Sequence, residues 1–427
     1  MEEPLLQGDG RVKTFAAVML AVMEAGCGGG STPLSPSAAG VAAERTHVRT
    51  AYSVLYSFKD GKYGRDPHAG PLIKVKDKLY GTTVYGGGPC HARCFGGTVF
   101  AITTSGGETV LHSFEVGSEV YTDGKNPRAG LIDVTGTLYG TTVHGGGASC
   151  YCGTVFKVTL SGSETVLHSF SGEPDGFSPD AGLLDVNGTL YGTTYYGGAN
   201  GDGTVFAITT SGTETVLHSF AGKPDGAHPY AGLINVNGTL YGTTTSGGAN
   251  CNWSGGCGTV FAITTSGAET VLYSFKGGLG DGRYPTQAGL LDVNGTLYGT
   301  TYRGGKHHYG TAFAITTSGK ENVLHSFGGL GDGAFPYGGL LDVNGTLYGT
   351  TSNGGAGSCL RYSNVHGCGT VFKTTISGKE TVLYSFKGGS GDGKFPHAGL
   401  INVDGTLYGT TTAGGAKEAG TVFSLSP

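Results

Sequence analysis

The positions best able to do chemistry in this chain are those its pattern leaves free. Seven copies of Ala-Gly-Leu, or a close variant, are each preceded by a residue that changes from copy to copy: His68, Arg128, Asp180, Tyr230, Gln287, Tyr337 and His397. A second changing set stands two residues past each Gly-Thr-Thr: Tyr85, His144, Tyr196, Ser246, Arg303, Asn353 and Ala413. Phenols, imidazoles, cations and one acid together suit stacking and hydrogen bonding with a polar organic ligand. Arg128 and Asp180 could act as an anion clamp and a general base. The spacing orders no catalytic set, however. Paired carboxylates, a Ser/His/Asp arrangement and metal-ligand spacing are all missing, so no catalytic residue, metal or cofactor is assigned. The plain alternative is a solvated rim without a ligand.

Asp60, Asp123, Asp175, Asp225, Asp281, Asp332 and Asp392 each open an Asp-Gly segment just before the first set. Repeated acids could bind calcium, but calcium takes six to eight oxygens and each segment supplies one dependable carboxylate. Asp-Gly is read as turn chemistry.

What positions these residues is a repeat. Leu-Tyr-Gly-Thr-Thr occurs seven times, with its tyrosine at Tyr80, Tyr139, Tyr191, Tyr241, Tyr298, Tyr348 and Tyr408. A period near 50 residues marks a solenoid, propeller or array. One copy, Ala181–Phe220, reads as four short strands rich in Val, Leu, Thr, Tyr and Phe between glycine-containing turns. Asn-Gly at Asn187, Asn237, Asn294 and Asn344, and Asp-Gly at Asp404, fit two-residue hairpins. No segment carries helical periodicity. The expectation is an all-β, seven-bladed β-propeller of four-stranded antiparallel blades. Ala51–Phe58 is a fourth strand with nothing before it, and the chain stops after a third strand, Gly420–Pro427. Pairing the two closes the ring and removes two sheet edges. Strand parity then places the tight turns on one face. The variable loops and blade-to-blade crossovers share the other, where function usually sits.

The order of an apolar strand, a turn, a Leu-Tyr strand ending in Gly197-Gly198 and an aromatic strand resembles the kelch repeat, without the tryptophan of its last strand. More closely, the LYGTT…GG…GTVF…SF unit resembles the tandem repeat of the choice-of-anchor GloVer-type bacterial surface proteins over residues 51–427. That resemblance implies export and anchoring, and brings no catalytic residues with it.

Eight of nine cysteines fall in pairs within single second-to-third-strand loops: Cys90/Cys94, Cys150/Cys152, Cys251/Cys257 and Cys359/Cys368. Each pair is read as a local disulfide, worth at best about 2–3 kcal/mol, although Cys150-Tyr-Cys152 would close a very small ring. A zinc site at Cys90, His91 and Cys94 would need a second ligand set nearby. Disulfides imply an extracytoplasmic compartment. Cys27 stands alone after an apolar run with Arg11 and Lys13 ahead of it, a signal-peptide layout. Ala25-Gly26-Cys27 resembles the end of a lipobox, with Glu24 as a departure. Residues 1–27 are therefore read as a signal peptide and lipobox-like segment, 28–50 as a flexible tether and 51–427 as the propeller, in a lipoprotein or a secreted protein.

A net charge of −5 and no basic stripe speak against nucleic acid. No apolar run reaches the length of a spanning helix, so any membrane contact would pass through a lipid anchor. The partner is expected to be a glycan, peptide or envelope protein met by a monomer. The role is a non-catalytic binding or scaffold module, or alternatively a carbohydrate-active lyase or glycoside hydrolase with its site at the channel mouth.

Overall fold

β-Branched and aromatic residues set between glycine turns form short strands, and each repeat becomes one twisted sheet. The computed structural model describes residues 51–68, 70–88, 96–114, 122–147, 150–287, 289–360 and 365–427. In the repeat centred on Leu-Tyr-Gly-Thr-Thr194 the strands are Leu184–Val186, Thr189–Thr194, Thr204–Thr209 and Glu214–Ser219. They pair antiparallel in sequence order. The first two are joined at Asn187-Gly188, both with positive φ, as a two-residue hairpin requires. Six such blades follow from the order of the chain. The seventh combines Ile401–Val403, Thr406–Thr411 and Thr421–Ser426 with Ala51–Ser57 from the other end. Closure is antiparallel, from Ala51 opposite Ser426 to Ser57 opposite Thr421. The fold is thus the expected seven-bladed propeller. One 3-10 turn, Gly61–Tyr63, is the helical content among the described residues.

The core lies between blades. The phenylalanine ending each fourth strand meets, edge to face, the phenylalanine of the next blade's third strand. Ring centroids are 5.0 Å apart for Phe114 and Phe156, 5.2 Å for Phe170 and Phe206, and 5.1 Å for Phe220 and Phe261. The pattern crosses the closure seam at Phe386–Phe423 and Phe58–Phe100, each at 5.2 Å. Each such pair contributes about 0.5–1.5 kcal/mol beyond its area. The same rings explain the glycine of Leu-Tyr-Gly-Thr-Thr. A methyl group on Gly192 would lie 2.5 Å from Phe206 Cζ. Gly192→Ala is therefore expected to cost about 1–3 kcal/mol through overpacking, read as a lowered midpoint in a denaturant melt.

Towards the axis the Ala-Gly pairs come together. In four blades the first threonine of Gly-Thr-Thr donates to the next blade's alanine carbonyl, as in Thr82 to Ala129 at 2.9 Å, Thr141 to Ala181 at 3.0 Å and Thr350 to Ala398 at 2.9 Å. A Cβ on Gly70 would collide with the backbone of Gly130, so only glycine lets the inner strands crowd this closely.

Candidate functional site

The second threonine of Gly-Thr-Thr sets the geometry of the variable face. In all seven blades its Oγ lies 2.8 Å from the threonine hydroxyl that opens the third strand. It also donates to the carbonyl two residues on, at 2.8–3.0 Å for Tyr85, His144, Tyr196 and Arg303. Those four belong to the second variable set. The crossovers then pair with this strand end, Arg65 with Tyr85, Lys125 with His144, Phe177 with Tyr196 and Arg283 with Arg303. The residue before the crossover proline has positive φ in every blade: Asp66, Asn126, Ser178, His228, Tyr284, Phe335 and Phe395. Tyrosine and phenylalanine enter that region at a cost of about 1–3 kcal/mol. Its N–H is held by the preceding blade, as in Ser178 to Cys152 O at 2.8 Å and Phe335 to Tyr309 O at 2.7 Å.

The first variable set converges on the axis. Arg128 Nη1 is 3.3 Å from Asp180 Oδ1, and His397 Nδ1 is 3.4 Å from His68 Nε2. Gln287 reaches across the ring to donate to the Asp180 carbonyl at 2.7 Å, and Tyr337 donates to Tyr230 Oη at 3.1 Å. Tyr337 also stacks on His397 with centroids 4.6 Å apart. These seven side chains close the channel as a polar and aromatic plug. Asp180 is 5% exposed. Burial raises its carboxyl to about 6, with Arg128 pulling the other way. Burial also raises Tyr337, to about 12, and lowers His144, which Arg128 and Lys125 lower further.

Above part of the plug lies an open pocket of about 660 Å³. Of the residues singled out from the sequence, Arg128, His144, Asp180, Tyr196, Tyr230, Tyr337 and Ser246 line it. His68, Gln287 and His397 stay in the plug. Tyr85 borders a smaller rim cleft beside Arg65, Arg303 lies on the rim, Asn353 is buried against Ser352, and Ala413 pairs with Lys394. The sequence reading missed Tyr195, Tyr302 and Tyr284, which complete the aromatic wall. Tyr195 and Tyr302 directly follow Gly-Thr-Thr, where other blades have Val84, Val143 or Thr412. That position varies less than its neighbour, and its two tyrosines among valine, threonine and serine were the signal.

The crossover aspartates are ties. Asp175 accepts from His168 Nε2 at 3.1 Å and from the Ser171 N–H at 2.9 Å. Asp281 accepts instead from Tyr273 Oη at 2.9 Å, and Asp392 from Tyr384 Oη at 2.9 Å. Three of these groups also meet a glutamate from the next blade, giving His168/Asp175/Glu214, His218/Asp225/Glu269 and His325/Asp332/Glu380, sets that could ligate a metal, whereas at the seam Asp392 meets Tyr52. A phenol replaces the imidazole in the Tyr273 group, so what recurs is a donor to the aspartate. Burial draws Asp225 upward, yet hydrogen bonds from His218 and from backbone N–H groups bring it below its ordinary value.

Cys150–Cys152, Cys251–Cys257 and Cys359–Cys368 are disulfide-bonded, with Cα atoms 5.1, 5.5 and 4.9 Å apart. They fit an oxidising, extracytoplasmic setting. Cys90, Cys94 and Cys27, with the leader and tether readings, lie outside the described residues. Among the described residues no helix is long and apolar enough to cross a membrane.

Seven like blades, a plugged axis and a tyrosine-walled pocket on the variable face define a β-propeller. The sequence profile of the Gloeobacter/Verrucomicrobia repeat matches at residues 34–254, 146–361 and 252–427, and the chain belongs to that family. No curated protein matches it. Among solved structures it is similar to virginiamycin B lyase from Staphylococcus aureus, at 13% identity and a TM-score of 0.52 over 88% of this chain and 99% of that one. A streptogramin B lyase matches at 15% identity and 0.51, over 88% and 97%. At such identities the likeness is one of fold.

Proposed function

We propose that the protein is an exported, non-catalytic binding module of the cell envelope, anchored through Cys27, which takes a glycan in its axial pocket. One observation carries the reading. The pocket is walled by Tyr195, Tyr196, Tyr230, Tyr284, Tyr302 and Tyr337, with Arg128 and His144 at one side. Phenol rings offer flat apolar faces to sugar C–H groups and hydroxyls to sugar oxygens, and the volume lies in the usual range for ligand sites. Asp180 is spent on Arg128 beneath this wall. Ala51 starts on the tight-turn face, since it pairs with Ser426 at the end of its third strand. Attachment upstream of it would therefore join the ring opposite the pocket.

A glycan array probed with the full chain, followed by calorimetry on the hits, tests this. Tyr195→Ala and Tyr302→Ala should each weaken binding by about tenfold or more while leaving the melting temperature near that of the parent. Unchanged affinity in both variants, or no glycan bound, would overturn the reading.

A second reading, a carbohydrate-active enzyme at the same pocket, draws on Asp180. Its carboxyl is raised to about 6 and borders the pocket, which suits a general base. It requires product release from a polysaccharide that Asp180→Asn abolishes.

A further inference from the structure

Arg283 and Arg303 face each other across the ribbon of Gly282–Pro285 and the end of Thr296–Gly304. Directly opposite residues leave an antiparallel ribbon on the same side, and like charges there are destabilising. Other cations of this face are matched: Arg65 by Asp60, Arg128 by Asp180 and Lys394 by Glu418, while the Lys223 ammonium donates to the Cys251 and Trp253 carbonyls. Among the described residues neither Arg283 nor Arg303 forms an ion pair. Asp281, two residues from Arg283, is already held by Tyr273 and by the N–H groups of Lys276 and Gly282. Both guanidinium groups lie on rings instead. Arg283 is 4.3 Å above Trp253 and 5.2 Å from the Tyr284 ring. Arg303 is 4.8 Å from the Phe335 ring and 5.3 Å from that of Tyr302. A stacked guanidinium is held in place with its N–H edge directed outward, the form in which arginine recognises carboxylate, sulfate or phosphate. Arg283 Nε is buried without a hydrogen-bond partner. Tyr284, Pro285 and Tyr302 belong to the pocket wall, so the two arginines stand at its edge.

We infer that Arg283 and Arg303 form an anion subsite extending the axial pocket, and that the ligand is an acidic oligosaccharide. Its sugar rings lie on the tyrosines while a carboxylate or sulfate meets the two guanidinium groups. The inference rests on the proposal that this pocket takes a glycan. The bound anion supplies the negative charge that the paired arginines lack.

Calorimetry on the full chain with four probes tests it: tetragalacturonate, a singly sulfated carrageenan tetrasaccharide, neutral maltotetraose and tetraglutamate. One of the two acidic saccharides should bind at least about tenfold more tightly than maltotetraose, and the winner distinguishes carboxylate from sulfate. The double variant Arg283→Gln/Arg303→Gln should bring that probe to the maltotetraose level, reduce its salt dependence and leave the melting temperature unchanged or higher. Equal binding of acidic and neutral saccharides, or a preference that survives the double variant, overturns the anion subsite and leaves the pocket reading intact where Tyr302→Ala still weakens binding. Tetraglutamate binding as tightly as the best saccharide overturns the glycan assignment. No binding of any probe overturns both.

Discussion

Deleting Ala51–Phe58 should open the ring and leave a protein that aggregates or melts at least about 10 °C lower. The strand supplies the whole fourth position of the last blade, pairing from Ala51 to Ser57 with Thr421–Ser426. Its loss exposes that third strand as an edge. It also removes Phe58, fully buried against Phe100 of the first blade, and such a truncation alone costs about 3–5 kcal/mol. Tyr52 adds a further tie, stacked on Tyr384 with centroids 3.8 Å apart and donating to Asp392 at 2.6 Å. In the other blades this place is held by a glutamate, such as Glu380 or Glu321, so the seam carries its own substitution. A control separates closure from simple loss of sequence. Moving residues 51–58 behind Pro427, joined by the Thr-Ser-Gly turn used in other blades, should restore the parental melt. Thermal melting with size-exclusion chromatography reads both variants. A deletion that melts like the parent as a monodisperse monomer would show that the seam does not hold the ring.

Most of the architecture was legible because a repeat states its own rules seven times. Blade count, closure and the division into a uniform and a variable face follow from where strands begin and end. The first variable set was read as a ring at the channel mouth, and those side chains do meet around the axis. How they meet was not legible. Gln287 bonds to Asp180 and Tyr337 to Tyr230, partners 107 residues apart in both cases, and no local pattern pairs residues across a ring. Tyr195 and Tyr302 escaped for another reason. They occupy a place filled by valine, threonine or serine in sister blades, and it looked like spacer. The aspartate was read as turn chemistry; its ties to a donor on the fourth strand and to a glutamate of the next blade were not seen. His168 and Asp175 lie in one blade's exit while Glu214 belongs to the next. A contact between neighbouring repeats leaves no periodic trace beyond the repeat itself.

Those junction glutamates set the second large expectation, a fall in stability from mildly acidic to mildly alkaline pH. Burial, then the charge of Asp175, raises Glu214 to about 7. Burial and Asp225 do the same for Glu269, and burial and Asp332 for Glu380, each to about 7. Glu321 reaches about 7 through burial and Asp281. In every case Oε1 is buried without a partner, as expected of a carboxyl favoured in its protonated form. A carboxyl whose folded pKa exceeds its unfolded value stabilises the fold fully below the unfolded value, and that contribution is lost as pH rises through the folded one. Four groups lose it over the same interval, from about 4.5 to about 7. Asp225 and Asp332, held below their ordinary value, act with opposite sign and withdraw stability only in stronger acid. The melting temperature should therefore peak near about pH 5, decline through neutrality and level off by about pH 8. Replacing all four glutamates by glutamine keeps a side chain that can donate to the aspartate at any pH. The quadruple variant should melt at nearly constant temperature from about pH 5 to about pH 8. A parental curve already flat over that span would mean that the junction glutamates are ionised throughout. Each would then face an aspartate as a carboxylate pair held together by the phenylalanine contacts between blades.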